Sequence, residues 1–184
     1  MTKNFFRLLG AHAACSLGCF LFVMLFPGII DFRLGEVLYS LLAIIIFFDV
    51  IFTFSWNLAN HKRKTVKIHN NHLADGELPQ KMNYKDGYVL AVLYTLFNVA
   101  FLVVTITLDE MSTGLSTMAF RSWFCEFVVG YAYIVRRVNY FSAAVAIFPV
   151  VPLLLGYIGG AHNVNFIENF MSRLVYKKKS NKAK

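Results

Sequence analysis

Four runs of this chain are long and apolar enough to cross a bilayer, and no other feature restricts its fold as strongly. They cover approximately 5–26, 36–56, 88–108 and 138–158. Crossing roughly 30 Å of hydrocarbon takes about 20 residues at about 1.5 Å of rise per residue in an α-helix. Inside hydrocarbon each backbone N–H and C=O must be satisfied within its own segment, so such runs form helices and the expected class is an all-α membrane protein. The short turn at Pro27, Gly28 and Asp31 predicts a hairpin of the first two helices, the last two form a second hairpin, and Pro149 and Pro152 predict a kink in the last span. The chain reads as one membrane domain, 1–184, with a polar loop at 57–87 and a basic tail at 161–184.

Composition agrees with this reading. The chain is 58% hydrophobic and 16% aromatic, with a mean hydropathy of +0.57, more apolar surface than a water-soluble domain of this size can bury. Its net charge of +8 is confined to loops and tails, the segregation of a membrane protein and not the spread of a nucleic-acid binder. Lys3 and Arg7 precede an apolar run as in a signal peptide, but the small residues Ala11 to Ala14 stand before its most apolar part, 20–26, so the segment is expected to be retained. Cys15, Cys19 and Cys125 all lie in apolar stretches and are read as packing residues, not a disulfide framework.

Charge also predicts orientation. Residues 119–135 place Phe120, Trp123, Phe124, Phe127, Val128 and Tyr131 at helical spacing but are interrupted by Arg121 and Glu126, so the segment is either an interfacial or re-entrant helix or a fifth span. With four spans and the N-terminus inside, fourteen Lys and Arg fall on the inner side and four outside; a fifth span makes this ten against eight. The positive-inside rule selects four spans with both termini cytoplasmic. In the tail, Asn165 and Glu168 stand as an N-cap and its third-residue partner, and Phe166, Ile167, Phe170, Met171, Leu174 and Val175 share one face. Lys177, Lys178, Lys179, Lys182 and Lys184 follow, so the tail reads as an amphipathic helix in the headgroup layer of an anionic inner leaflet.

Polar groups inside a membrane need partners and are candidate functional residues by default. His12 and Asp49 are expected at similar depth on the two helices of the first hairpin, with Tyr94, Thr95 and Asn98 near the same level. Such a layer either relays a proton or holds a cation, or staples helix rotation without turnover. His12, Cys15 and Cys19 share one helical face beside Ser16 and are candidate metal ligands, while Gly10, Ala14 and Gly18 repeat every four residues, the spacing that lets two membrane helices approach closely. His61, His69 and His72 lie in the central polar segment, where Asn70-Asn71 and Asp75-Gly76 read as turn and do not preorganise a zinc site. No phosphate-binding glycine loop or serine-nucleophile motif occurs.

The closing pattern Gly156-Tyr157-Ile158-Gly159-Gly160, followed by an amphipathic stretch ending Val175-Tyr176-Lys177-Lys178-Lys179, resembles the end of small integral membrane proteins of clostridia and related Firmicutes. That resemblance implies a hairpin, polar loop, hairpin order and a bacterial inner membrane, and no activity. The functional expectation is a non-enzymatic structural or interaction subunit with a basic cytoplasmic face, forming a homo-oligomer or joining a larger complex, with no cofactor and no nucleic acid. The alternatives are a permeation component using His12 and Asp49, and a metal-dependent membrane enzyme.

Overall fold

A computed structural model describes residues 2–26, 33–73, 78–111, 123–124 and 140–164. Among these the fold is all-helical: α1 (Thr2–Leu25), α2 (Arg33–Asn71), α3 (Lys85–Met111), α4 (Tyr140–Ile147) and α5 (Val150–His162). Four stretches are long and apolar enough to cross a membrane: Thr2–Phe22, Val37–Asn71, Lys85–Val104, and Ala144–His162, which joins α4 to α5. Their outward surface is apolar, with Leu17, Leu21, Leu41, Ile45 and Leu96 among the exposed side chains, as suits a surface facing lipid. Leu8, Phe47, Ile51, Leu90, Tyr94 and Leu153 fill the interior.

The second helix departs from the sequence reading. A polar loop was expected from residue 57, yet α2 runs on to Asn71, 39 residues in all, or about 58 Å at about 1.5 Å per residue. The physical reason is that polarity does not end a helix. Residues 57–71 are rich in Lys, Arg and His and contain no Gly or Pro; the first breakers are Asp75-Gly76 and Pro79. Beyond the helix, Asn70 clamps the returning chain, donating from Nδ2 to the Gln80 carbonyl at 3.0 Å and accepting from the Gln80 N–H at 2.9 Å. Asn83 Oδ1 then accepts the Lys85 N–H at 2.9 Å and caps α3.

Register between helices follows from residue pairs. On α1 and α2, His12 meets Phe47 with ring centroids 5.0 Å apart, the Tyr39 hydroxyl donates to the Cys19 carbonyl at 2.9 Å, and Phe22 stacks on Tyr39, so the two run in opposite senses. On α2 and α5, Gly156 faces Phe52 and Ser55 while Gly160 faces Trp56 and Ala59, so these two run the same way. On α3 and α5, Tyr84 lies beside His162 and Gly87 beside Tyr157, again in opposite senses.

The α2–α5 seam is the most extensive helix pairing. A Cβ at Gly156 would fall on Ser55 Oγ and the Phe52 carbonyl, and one at Gly160 on the Trp56 carbonyl, so glycine is required where the backbones touch. The α4–α5 chain turns at Phe148 and Pro149, where proline supplies no N–H, and Pro152 sits in the first turn of α5, where a helix N–H has no intrahelical acceptor. Asn163, at φ 58°, ends α5 in a left-handed cap, and the Val164 N–H reaches back to the Gly159 carbonyl at 2.9 Å.

Polar side chains fasten the shared end of α2, α3 and α5. Lys62 pairs with Asp86. Arg63 Nη2 donates to Asn60 Oδ1 at 3.0 Å and to Asn163 Oδ1 at 2.6 Å, while the Trp56 indole N–H donates to the Val164 carbonyl at 3.3 Å. These bonds consume the inward face of the α2 extension.

Candidate functional site

The buried polar layer is assembled by α1, α3 and the described pair Trp123–Phe124. His12 is fully buried, with Nδ1 2.6 Å from the Tyr94 hydroxyl and Nε2 2.9 Å from the Trp123 carbonyl. A carbonyl only accepts, so Nε2 carries the hydrogen; Nδ1 is then the acceptor and Tyr94 donates to it. Ser16 also donates to the Trp123 carbonyl, at 2.6 Å. The Trp123 indole N–H donates to Asn98 Oδ1 at 3.0 Å, an orientation fixed because indole offers no acceptor. Asn98 is fully buried and its Nδ2 has no hydrogen-bond partner among the described residues.

Aromatic rings enclose this network. The His12 ring lies 4.2 Å from Trp123, 5.0 Å from Phe47 and 5.6 Å from Phe124, centroid to centroid. Trp123 is itself flanked by Phe97 at 5.6 Å and Phe101 at 5.7 Å. Low polarity strengthens each hydrogen bond and raises the cost of breaking one. Chemically the arrangement holds the imidazole in one orientation and, in its neutral form, one tautomer. It is built for positional precision.

The structure brings together only part of the expected layer. His12, Tyr94 and Asn98 converge. Thr95 turns back on its own helix and donates to the Ala91 carbonyl at 2.8 Å. Asp49 is exposed and does not meet His12. The reason is angular: Phe47 is the α2 residue that points at His12, and two residues at about 100° each carry Asp49 to the far side of that helix. Depth alone, which made the pair attractive in the sequence, cannot fix azimuth.

The other candidates are placed as follows. Among the described residues Gly10 and Gly18 have no neighbour within 4 Å of a would-be Cβ, so neither glycine makes a close helix contact there. Ala14, Cys15, Gly18 and Cys19 line an apolar groove of about 540 Å³ whose other wall includes Leu42 and Ala43 of α2. Among the described residues no three His, Cys, Asp or Glu side chains converge as metal ligands, and both nitrogens of His12 are already engaged. Residues 119–122, 125–135 and the tail lysines Lys177, Lys178, Lys179, Lys182 and Lys184 lie outside the described residues.

Trp123 and Ser16 complete a layer that the sequence reading had left without them. Ser16 stood four residues from His12, on the same helical face, and could have been found from that spacing. Trp123 contributes through a backbone carbonyl, which no side-chain pattern reports. Gly156 and Gly160 were visible as a Gly-x-x-x-Gly pair, and they make the close helix contact that had been looked for on α1.

Comparison with known proteins adds no identity: no family model, curated protein or solved structure matches the chain.

Proposed function

We infer that this chain is a non-enzymatic integral membrane subunit that associates with a second copy of itself or with a larger membrane complex. The observation that carries this reading is the incomplete cover of α1. Only 17% of its apolar window is buried, against 56% for the span Ala144–His162; Gly10 and Gly18 have no close neighbour among the described residues, and Ala14 and Gly18 line an apolar groove between α1 and α2. Small residues reward close approach of another helix, and lipid alone gains nothing from them.

The finer topology proposed is two hairpins with both termini in the cytoplasm of a bacterial cell, spanning its inner membrane. The opposite senses of α1 and α2, and of α3 and α5, support the hairpins. Reading 119–135 as re-entrant draws on Trp123, which bonds Asn98 partway along α3 although the chain leaves that helix at Met111. A fifth crossing would make α5 run parallel to α3. The basic tail, with Lys177, Lys178, Lys179, Lys182 and Lys184, is proposed to contact the anionic inner leaflet.

The intramembrane polar layer acts in this reading as a staple. Its hydrogen bonds hold α1, α3 and the Trp123 segment in register, and Asp49 supplies no carboxylate to it. A proton or cation site at His12 and Asp49 therefore draws no support from the geometry.

The test is cysteine cross-linking in native membranes, with Cys15, Cys19 and Cys125 replaced by Ser. Single cysteines placed by Ala14→Cys and Gly18→Cys are expected to cross-link to a second copy or to a co-purifying subunit. Cysteines on the lipid-facing side of α3, from Val92→Cys and Leu96→Cys, are not. Equal labelling of both sets, together with unchanged assembly in the Ala14→Leu/Gly18→Leu variant, overturns the proposal.

A further inference from the structure

We propose that the outward face of the α2 extension, formed by His61, Lys64, Lys67 and Ile68, is a docking strip for an acidic, amphipathic protein segment. The proposal rests on the topology above for the side on which the strip lies.

Length comes first. Taking hydrocarbon to begin at Glu36, a run of about 20 residues brings α2 to its inner boundary near Trp56. The headgroup zone adds only about 5–8 Å on each side. Lys64, Lys67 and Ile68 lie 8, 11 and 12 residues past Trp56 in one unbroken helix, which at about 1.5 Å per residue places them about 12, 16 and 18 Å beyond the hydrocarbon. All three lie beyond the headgroups, Lys64 by the smallest margin. A loop could have lain down on the bilayer. This helix, pinned by Lys62–Asp86, Arg63–Asn163 and Asn70–Gln80, projects from it.

Charge comes second. The same pins divide the cations of the extension. Lys62 and Arg63 are committed inward, whereas Lys64 and Lys67 are exposed, with the exposed His61 beside them. Residues 57–71 contain no Asp or Glu, and the tail 165–184 carries six Lys and Arg against Glu168, so the chain's own tail has little acid with which to cover the strip. A partner complementary to it is acidic.

Shape comes third. His61, Lys64 and Ile68 fall at i, i+3 and i+7, on one helical face, with Lys67 at its flank. Ile68 is 60% exposed in the midst of these cations. An apolar anchor with a basic rim suits an amphipathic acidic helix better than a phosphate backbone, for which an isoleucine offers nothing.

The experiment uses the full chain in nanodiscs of zwitterionic lipid, with a fluorescein-labelled peptide of Glu-Glu-Leu-Leu repeats as probe and anisotropy as readout. The Lys64→Gln/Lys67→Gln variant is expected to bind about tenfold more weakly and with a shallower salt dependence. Ile68→Gln is expected to lose about fivefold with the salt dependence unchanged. Both variants should melt with the parent, since the replaced side chains are exposed. Parent-like binding by the double variant overturns the proposal. So does complete loss of binding when the five tail lysines alone are changed to Gln, or tighter binding of a single-stranded oligonucleotide than of the peptide. Loss of peptide binding in anionic nanodiscs assigns the strip to lipid and also overturns it. Nanodiscs expose both faces, so this result is independent of orientation. A reporter fused to the C-terminus that reads as external overturns the topology and leaves the binding result standing.

Discussion

Two helices of this protein carry small residues at four-residue spacing, and they are used in opposite ways. On α5, Gly156 and Gly160 let the backbone rest against α2 at Phe52, Ser55, Trp56 and Ala59. On α1, Gly10, Ala14 and Gly18 border open space and an apolar groove. The motif therefore marks where a helix can approach and leaves open whether one does. In hydrocarbon there is no hydrophobic drive between helices, and contact has to be gained by packing and polar bonds. The α2–α5 pair has both, since the Arg63–Asn163 and Trp56–Val164 bonds fasten the end of the same seam. The α1–α2 pair is joined by the Tyr39–Cys19 bond and the His12–Phe47 contact, and an apolar groove runs along it.

The sharpest test of this contrast is substitution by alanine on each helix. Gly156→Ala and Gly160→Ala drive a methyl into backbone carbonyls of α2, and each is expected to cost about 3 kcal/mol, as for an overpacked core that cannot yield. Thermal unfolding in detergent by circular dichroism checks it. Gly10→Ala and Gly18→Ala meet nothing and should leave the melting temperature unchanged or slightly raised, because alanine favours helix. If the α5 variants melt like the α1 variants, the distinction is broken.

The polar layer comes next in size. His12→Phe leaves the Tyr94 hydroxyl without its acceptor and the Trp123 carbonyl with Ser16 alone, an expected loss of about 1–3 kcal/mol. Ser16→Ala should cost less, about 1 kcal/mol, because His12 still serves the same carbonyl. Indole fluorescence reports the pair, since Trp123 stacks on His12, and a blue or red shift in His12→Phe with none in Ser16→Ala would sharpen the assignment. The ion pair Lys62–Asp86 has both partners about a third exposed, and Lys62→Gln is expected to cost at most about 1 kcal/mol in an unfolding titration. The smallest effect belongs to Asp49→Asn, whose side chain is exposed. Its carboxyl lies on the outward side of a spanning helix, so neutralising it should cause no loss of stability, and a loss comparable with that of His12→Phe would restore Asp49 to the buried layer.

Much of the candidate site was legible one residue at a time but not as a set. His12, Tyr94 and Asn98 stood out because uncharged polar groups in apolar runs are conspicuous, and arithmetic along the helices put them at one level. The same arithmetic put Asp49 there too. What it lacked was the rotation of α2, which is set by Phe47 and Ile51 turning into the core and leaves Asp49 on the outside. Trp123 was legible as an aromatic in an ambiguous segment, but its carbonyl became the acceptor for two α1 side chains only through the fold.

The sequence by itself determined the class. Four apolar runs of spanning length dictate four helices, because a backbone in hydrocarbon has no other way to satisfy its polar groups. It also carries the breakers that bound the helices, Asp75-Gly76 and Pro149, but the continuation of α2 past Trp56, where a loop was expected, came only with the structure. Only the tertiary structure decided which small-residue pair is closed, that Asp49 points away from the His12 layer and that α2 continues as one helix through its basic end. Each of these depends on azimuth and on continuity across a polarity boundary. Composition and spacing fix a residue's height along a helix, and only packing against neighbours fixes the direction in which it points.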